Sequence, residues 1–314
     1  MKKSSIEKTL LSPKSDFVFK LIFGDRRNID ILTAFLQAVL DLPADEYEKL
    51  EIVDPHVNRE TKDDKLGVLD VKIHTKSGKV IDVEIQVEEM SLLRERIVYY
   101  AAKMVTEQIG KGDNYDTVKR VISVVITDFV WVADNADYHN RYKLYDARTQ
   151  STFTDLLEIH TLELPKLPLK DDRSAAWDWL QFLRTNDKEN LTMLAQTSPM
   201  LGKAVGVLME LSADERTRLL YESREKARMD NAVRMRDAIN KGLTLGKTEG
   251  RAEGRAEGRA EGKAEGKAEG KAEGKAEGKM EGIIEVAKRM LSLGLKLEVV
   301  ANATGLPADE IKKL

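Results

Sequence analysis

The sequence of 314 residues contains no cysteine, which excludes disulfide bonds, thiolate metal sites and cysteine nucleophiles. It also has no uninterrupted apolar run of about eighteen residues, so we expect no membrane-spanning helix. The start, MKKSSIEKTLLSPKSD, has no apolar segment typical of a signal peptide, and we expect a cytoplasmic protein. Charges nearly cancel, with 51 Lys and Arg against 54 Asp and Glu. Any nucleic-acid contact must therefore come from a local basic patch.

The most informative stretch is residues 66–89, LGVLDVKIHTKSGKVIDVEIQVEE, in which apolar and polar residues alternate. Alternation of this kind is typical of strands that are buried on one face. Between the two alternating segments, Lys76-Ser77-Gly78 is suited to a three-residue turn with glycine in the left-handed conformation. The sequence therefore predicts an antiparallel hairpin in which Lys72 faces and pairs with Asp82.

The same register places Asp70 opposite Glu84. Directly opposed residues have Cβ atoms about 4.5–5.5 Å apart, and two carboxylates at that separation repel unless a cation lies between them or one is protonated. A divalent metal is the simplest explanation, and oxygen ligands suit Mg²⁺. The alternative is an ordinary solvated strand face, and the hairpin by itself leaves both interpretations open.

Further elements are predicted on either side of the hairpin. Apolar spacing predicts helices at residues 15–24, 28–40 and 91–110. The β-branched run at 119–127 predicts a strand covered on both faces. This order indicates an α/β fold, a mixed sheet flanked by helices, and not a doubly wound dinucleotide fold.

The C-terminal half is predicted to be helical and to contain a low-complexity repeat. Residues 251–282 are eight tetrapeptides of the form (R/K)-(A/M)-E-G, and each glycine costs a helix about 1 kcal/mol relative to alanine. A lone helix should therefore be marginal. Self-association of the helices would stabilise it, and the alternative is a flexible charged spacer.

We predict four regions along the chain: a core at 1–170, a helical extension at 171–241, the repeat stalk at 242–282 and a small helical module at 283–314. The last region has the helix–glycine–helix order of a helix-turn-helix. However, Asp309 and Glu310 stand where phosphate would approach the last helix. We therefore favour a small helical cap or a protein-contact module.

Several blocks of the sequence resemble a known family. Asp70, thirteen residues and then Glu84-Ile85-Gln86 resemble the D…(D/E)xK motif of PD-(D/E)XK nucleases, with glutamine in the lysine position. Five ordered blocks over about residues 12–170 are similar to the Rpn family of recombination-promoting nucleases and transposases: SPKSDFVFKLIFGD, LDVKIHTKSGKVIDVEIQV, RERIVYYAAKM, GDNYDTVKRVISVVITDF, and YHNRYKLYDARTQ with LLEIHTLELPKLP. The resemblance implies a restriction-endonuclease-like core.

The resemblance also implies an activity. It is that of an endonuclease that uses Mg²⁺ or Mn²⁺, nicks or cuts DNA with low sequence specificity, and promotes recombination or transposition. Asp70 and Glu84 would hold the metal, with the carbonyl of Ile85 as a third ligand, and Gln86 would orient the attacking water. Glutamine does not supply the positive charge of the usual lysine.

Several further residues are candidates for accessory roles, and each also has an ordinary structural interpretation. Lys20 or Lys72 is a candidate to supply the missing charge. Asp16 is placed to reach the metal or simply to cap its helix. Arg94 and Tyr100 would meet phosphate, or serve as a surface cation and a core aromatic.

A second hypothesis follows from Gln86 and the repeat. In it, the chain is a catalytically weak or inactive nuclease-fold protein that acts through DNA binding and self-association. In both hypotheses we expect DNA as a partner, a homo-oligomer formed through the repeat region, and no membrane.

Overall fold

A mixed six-stranded sheet with helices on both faces forms the centre of the fold. The computed structural model describes residues 10–54, 56–57, 67–68, 70–170 and 172–314, so Leu66 and Leu69 of the predicted hairpin lie outside the described residues. The described strands are β1 (Glu51–Val53), β2 (His56–Val57), β3 (Gly67–Val68), β4 (Val71–His74), β5 (Val80–Gln86), β6 (Val121–Thr127), β7 (His139–Tyr145) and β8 (Thr152–Glu163). The described α-helices are α1 (Asp16–Phe23), α2 (Ile29–Val39), α3 (Leu93–Thr106), α4 (Ala175–Arg184), α5 (Lys188–Leu194), α6 (Pro199–Ala213), α7 (Glu215–Ser292), α8 (Leu297–Thr304) and α9 (Ala308–Ile311). The predicted α/β class is confirmed.

The strand order of the sheet is β1-β4-β5-β6-β8-β7, and β2 pairs separately with β3. Strands β5, β6 and β8 are parallel, whereas β1, β4 and β7 run antiparallel to their neighbours. Gln86, Thr127 and Glu163 are in register at the ends of the three parallel strands. We call this end of the sheet the carboxyl edge. Ligands of open α/β sheets generally bind there.

The predicted hairpin is formed by β4 and β5. His74 is paired with Val80 and Lys72 with Asp82, as the sequence predicts. Gly78 closes the turn with a φ of 87°, a conformation that glycine adopts without steric cost. Because the register is set by this turn, alternate residues of β5 face opposite sides of the sheet.

The two faces of the sheet are covered by different helices. On one face, Ile81, Val83 and Ile85 are buried in the main core with apolar residues of α1, α2, α4 and α6. On the other face lies α3, which connects β5 to β6 and buries Leu93 and Ile97 against Val125. The acidic residues of β5 therefore face α3.

Strands β7 and β8 have no counterpart in the sequence-based prediction. Several of their inward residues are charged: Glu158 of β8 is 2% exposed and forms ion pairs with Arg120, Arg141 and Lys143. His160 also contacts Glu158, with 2.7 Å between Nε2 and Oε1. A buried ion network thus takes the place of the apolar alternation expected of a covered strand.

Two units divide the chain, one ending at Ala227 and the other beginning at Arg228. In the second unit, Ala287, Val300, Leu306 and Ile311 form a separate small core. The repeat lies within α7, where a Cβ added to each repeat glycine would meet nothing within 4 Å. None of the described helices is both long and apolar enough to cross a membrane. The finer boundaries predicted from the sequence stay predictions.

Candidate active site

The acidic residues of the predicted motif lie at the junction of the hairpin and α1. Asp70 immediately precedes β4, and Glu84 and Gln86 lie on β5 near the carboxyl edge. Helix α1 contributes Asp16 and Lys20 to the same place. The bend before β4, the strand β5 and the helix α1 therefore bring these five side chains together.

Asp70 is held by one contact to each of its carboxylate oxygens. Oδ2 accepts a hydrogen bond from the backbone N–H of Ile85 at 2.9 Å, and Oδ1 lies 2.9 Å from Nζ of Lys20. Burial, followed by the nearby charge of Asp16, raises the pKa of Asp70 to about 7. These contacts orient the carboxylate, and the raised pKa shows that its negative charge is poorly solvated.

Glu84 is also largely buried, and burial raises its pKa. Nη2 of Arg96, on α3, lies 3.9 Å from Oε2 of Glu84. Gln86 donates a weak hydrogen bond from Nε2 to the same oxygen, at 3.4 Å. Glu84 therefore has a positive charge from α3 on one side and an amide on the other.

Asp82 is a third acid in this region. It is 3% exposed, and its Oδ1 has no hydrogen-bond partner among the described residues. Burial and then the charges of Glu84 and Asp70 raise its pKa well above the ordinary value. The expected ion pair with Lys72 is not formed, because Nζ of Lys72 lies 3.1 Å from Oε2 of Glu107 instead. Lys72 is directed toward α3 and away from the acid pair.

Lys20 lies between two acids. Its Nζ is 2.8 Å from Oδ1 of Asp16 and 2.9 Å from Oδ1 of Asp70. Burial alone would lower the pKa of Lys20, but the two carboxylates raise it above its ordinary value. A full positive charge is thus present beside the first acid of the motif.

Arg94 and Tyr100 have other surroundings. The guanidinium of Arg94 lies 5.9 Å from the centroid of the Trp131 ring, and Nη2 donates to the carbonyl of Trp131 at 3.3 Å. Tyr100 packs against Tyr99 and lies beneath Arg96. In the described part of the chain, the contacts of Arg94 and Tyr100 are thus with Trp131, Tyr99 and Arg96, and not with Asp70 or Glu84.

Comparison with family models matches residues 13–238 to the PD-(D/E)XK nuclease family transposases. The match covers most of the chain, including the hairpin, α1 and α3. The chain belongs to this family. Comparisons with curated proteins and with solved structures found no match.

PD-(D/E)XK nucleases generally use divalent metals, so the candidate site needs groups that can bind such an ion. Within the part of the chain that the structure describes, no group of three or more His, Asp or Glu side chains forms a metal site. Mg²⁺ is commonly bound through only one or two carboxylates, with water and substrate phosphate completing its shell. Asp70, Glu84 and the carbonyl of Ile85 are all oxygen donors. Since burial raises the pKa of both carboxyls, a divalent cation would stabilise their charged forms, and the set fits the ion.

Two residues lie at the candidate site although the sequence did not single them out. Arg96 reads as one of several basic residues of α3, and only its position above Glu84 distinguishes it. Asp82 reads as an ordinary partner for Lys72, and its burial beneath α3 is a tertiary feature. For Asp82, the alternation of acidic residues along β5 was a signal in the sequence. No sequence signal distinguished Arg96 from the other basic residues of α3.

Proposed function

We propose that the chain is a metal-dependent DNA endonuclease that nicks or cuts with low sequence specificity and promotes recombination or transposition. The observation that supports this most is the meeting of Asp70 and Glu84 beside Lys20 at the carboxyl edge. In this proposal Asp70, Glu84 and the carbonyl of Ile85 hold Mg²⁺ or Mn²⁺. The bound ion would neutralise phosphate charge and lower the pKa of a coordinated water.

The protein's own groups position the reacting atoms. The N–H of Ile85 keeps the Asp70 carboxylate in a fixed orientation. Gln86 donates from Nε2 to Glu84, so its Oε1 is available to accept a hydrogen bond from the attacking water and orient it. A fixed water of this kind reacts faster than a freely rotating one, because the entropy of orientation is already lost.

Lys20 replaces the charge that Gln86 lacks. Nζ of Lys72 is paired with Glu107, whereas Nζ of Lys20 is paired with Asp70. An ammonium at this position would stabilise negative charge that develops on the phosphate. Arg96, on the other side of Glu84, is a second cation for the same phosphate. Asp16 positions Lys20 through their ion pair.

The experiment that tests the function is cleavage of supercoiled plasmid followed by sequencing of the new ends. The wild-type chain with Mg²⁺ should convert closed circles to relaxed circles, with ends at many unrelated sequences. Glu84→Gln should abolish cleavage, and Asp30→Asn, an acid of α2 that pairs with Lys203, should leave it unchanged. Cleavage that persists in Glu84→Gln would contradict the proposal.

A second candidate function rests on Gln86 itself. With the usual lysine absent from that position, the chain would bind DNA on a nuclease fold without cutting at a useful rate. Such a protein would show no cleavage with Mg²⁺ or Mn²⁺ and would still bind DNA. Retention of binding with loss of all cleavage therefore supports this candidate over the first.

We also propose that the chain self-associates through the repeat. Eight glycines in one exposed helix would make it marginal alone, and stripes of Gly and Ala allow two helices to approach closely. Deletion of residues 251–282 should lower the mass measured by sedimentation to that of a monomer. An unchanged mass would show that the repeat is a spacer.

A further inference from the structure

A cavity lies on the same face of the sheet as the acid pair. It encloses about 480 Å³ and is lined by residues of α3, of the loop after β6, and of β7 and β8: Arg94, Ile97, Val98, Trp131, Val132, Asp134, Tyr142, Ile159 and Thr161. This volume is within the range of roughly 300–1,000 Å³ typical of small-molecule pockets. None of these residues takes part in the proposed metal chemistry.

The cavity combines aromatic walls with a few polar groups. Trp131 and Tyr142 supply aromatic rings, Arg94 a cation, and Asp134 an acceptor. Thr161 is 2% exposed, and its Oγ1 has no hydrogen-bond partner among the described residues. A buried hydroxyl without a partner is costly, so a ligand that hydrogen-bonds to it would remove that cost.

Hydrogen bonds hold the backbone of the loop that carries Trp131. Oε2 of Glu163, a residue with no exposed surface, accepts hydrogen bonds from the backbone N–H groups of Trp131 at 2.7 Å and Val132 at 3.3 Å. Nζ of Lys166 donates to the carbonyl of Val132 at 2.6 Å. The loop therefore needs little further ordering when a ligand binds, which favours affinity.

The distance between the cavity and the acid pair follows from the strand register. Glu84 is in register with Val125, and Val125 with Thr161, across three adjacent parallel strands. Neighbouring strands are about 4.8 Å apart, so Glu84 and Thr161 are separated by roughly 10 Å. That is about three steps of 3.4 Å along a stacked DNA strand.

Helix α3 begins between the two places. Arg96 faces Glu84 and Arg94 faces Trp131. The first turn of α3 has no side-chain cap on its backbone N–H groups, and such N–H groups favour phosphate. A DNA strand that crosses the start of α3 would thus meet Arg96, Arg94 and the N–H donors of the first turn.

We propose that this cavity is a nucleobase pocket that receives an unstacked base of the DNA strand, about three nucleotides from the cut. A base has flat faces for Trp131 and Tyr142 and an edge with donors and acceptors for Thr161, Arg94 and Asp134. Taking a base out of the stack is least costly where DNA is already single-stranded or mispaired. The proposal deepens the proposed endonuclease function, on which it rests, and assigns that enzyme a preference for single-stranded or unpaired DNA.

The test is binding of a fluorescein-labelled single-stranded oligonucleotide of about 12 nucleotides, within the usual range for single-strand sites. Fluorescence anisotropy with the full chain in EDTA measures affinity without metal-dependent cleavage. Loss of one stacked base should weaken binding about 5- to 140-fold. We expect this loss for Trp131→Leu, recovery for Trp131→Phe, and a similar loss when the oligonucleotide carries abasic sites.

Two further variants separate binding from folding. Thr161→Val keeps the shape and removes only the unpartnered hydroxyl, so it should weaken binding while stability stays equal or rises. Trp177→Leu makes the Trp131→Leu change in α4, on the opposite face of the sheet, and should leave binding unchanged. Duplex DNA should bind more weakly than the single strand.

Other outcomes overturn the inference. Equal affinity of wild type, Trp131→Leu and the abasic probe would show that no base enters the cavity, even if plasmid cleavage is intact. Competition by deoxyadenosine monophosphate as strong as that of the oligonucleotide would make the ligand a free nucleotide. Base-dependent binding without cleavage by any metal would support the pocket while the endonuclease proposal fails.

Discussion

Nζ of Lys20 lies 2.9 Å from Oδ1 of Asp70, although Lys20 belongs to α1 and Asp70 to the bend immediately before β4. This contact places a cation beside the first acid of the PD-(D/E)XK motif while Gln86 occupies the usual lysine position. We propose that Lys20, on α1, supplies the positive charge that a lysine in the motif usually supplies. Substitutions at Lys20 and at Gln86 test this proposal.

Replacement of Lys20 by Met should lower the rate of plasmid cleavage by about 10²–10³-fold, the usual effect of removing one group that stabilises charge in a transition state. Lys20→Arg should retain most of the activity because the charge remains. Cleavage rates at saturating Mg²⁺ measure this directly. A Lys20→Met enzyme with the wild-type rate would show that Lys20 only pairs with Asp16 and Asp70.

The double variant Lys20→Met/Gln86→Lys should recover a measurable part of the lost activity. Its new lysine stands next to Glu84 on β5 and returns positive charge to the motif position. The same cleavage assay compares the single and the double variant. If Gln86→Lys gives no recovery, the two positions do not supply the same charge.

Glu46 gives a pH-dependent contribution to stability. Burial alone would raise its pKa, but hydrogen bonds from Lys79, Thr75 and Ser77 lower it to about 2, from an ordinary value of 4.5. Because the folded pKa is depressed, the contribution is complete above pH 4.5 and is lost as the pH falls toward 2. The stability difference between wild type and Glu46→Gln, measured by urea unfolding, should therefore shrink between pH 7 and pH 3. A constant difference would contradict this.

Removal of the buried charge of Glu158 should be strongly destabilising. Glu158→Gln leaves Arg120, Arg141 and Lys143 without their shared anion. Breaking a fully buried pair costs about 3–5 kcal/mol, and because the Arg141 side chain is 37% exposed the loss here should lie at the lower end of that range. Urea unfolding measures the loss. The same substitution at Glu48, an exposed acid that pairs with Lys76, should change stability by less than about 0.5 kcal/mol. Equal effects at the two positions would contradict the role of the network.

Alanine in place of repeat glycines separates the two interpretations of the stalk. Gly258→Ala and Gly262→Ala meet no steric obstacle in one chain, so each should stabilise the helix by about 1 kcal/mol, seen as a higher melting temperature by circular dichroism. If helices associate through the glycine stripe, the added methyl groups should also weaken the oligomer in sedimentation. Increased helicity with unchanged mass would favour a spacer.

The sequence predicts the local parts of the structure well. The hairpin register, the left-handed Gly78 and the buried strand Val121–Thr127 all follow from alternation, turn chemistry and β-branched composition. These signals are contained within a few neighbouring residues. For the same reason, the acid pair could be proposed from the hairpin alone.

Features that depend on distant residues could not be predicted. Strand β8 has inward-facing Glu158 and His160. Glu158 is paired with Arg120 and Arg141, and His160 is hydrogen-bonded to Glu158 and to His139, so both groups depend on partners that are distant in the sequence. Likewise, Lys72 is opposite Asp82 as predicted, yet its flexible side chain reaches Glu107 on α3. The strand register determines which backbone positions are opposite each other, but it does not determine which charged group a long side chain contacts.

The most direct test of the central claim is the initial rate of plasmid nicking as a function of Mg²⁺ concentration for the wild type and for Asp70→Asn. If Asp70 and Glu84 hold the catalytic ion, the wild-type rate should rise with Mg²⁺ to a plateau and vanish in EDTA. Asp70→Asn should show no plateau at any Mg²⁺ concentration that leaves it folded. Nicking by wild type in EDTA, or equal rates for the two proteins, would contradict the account.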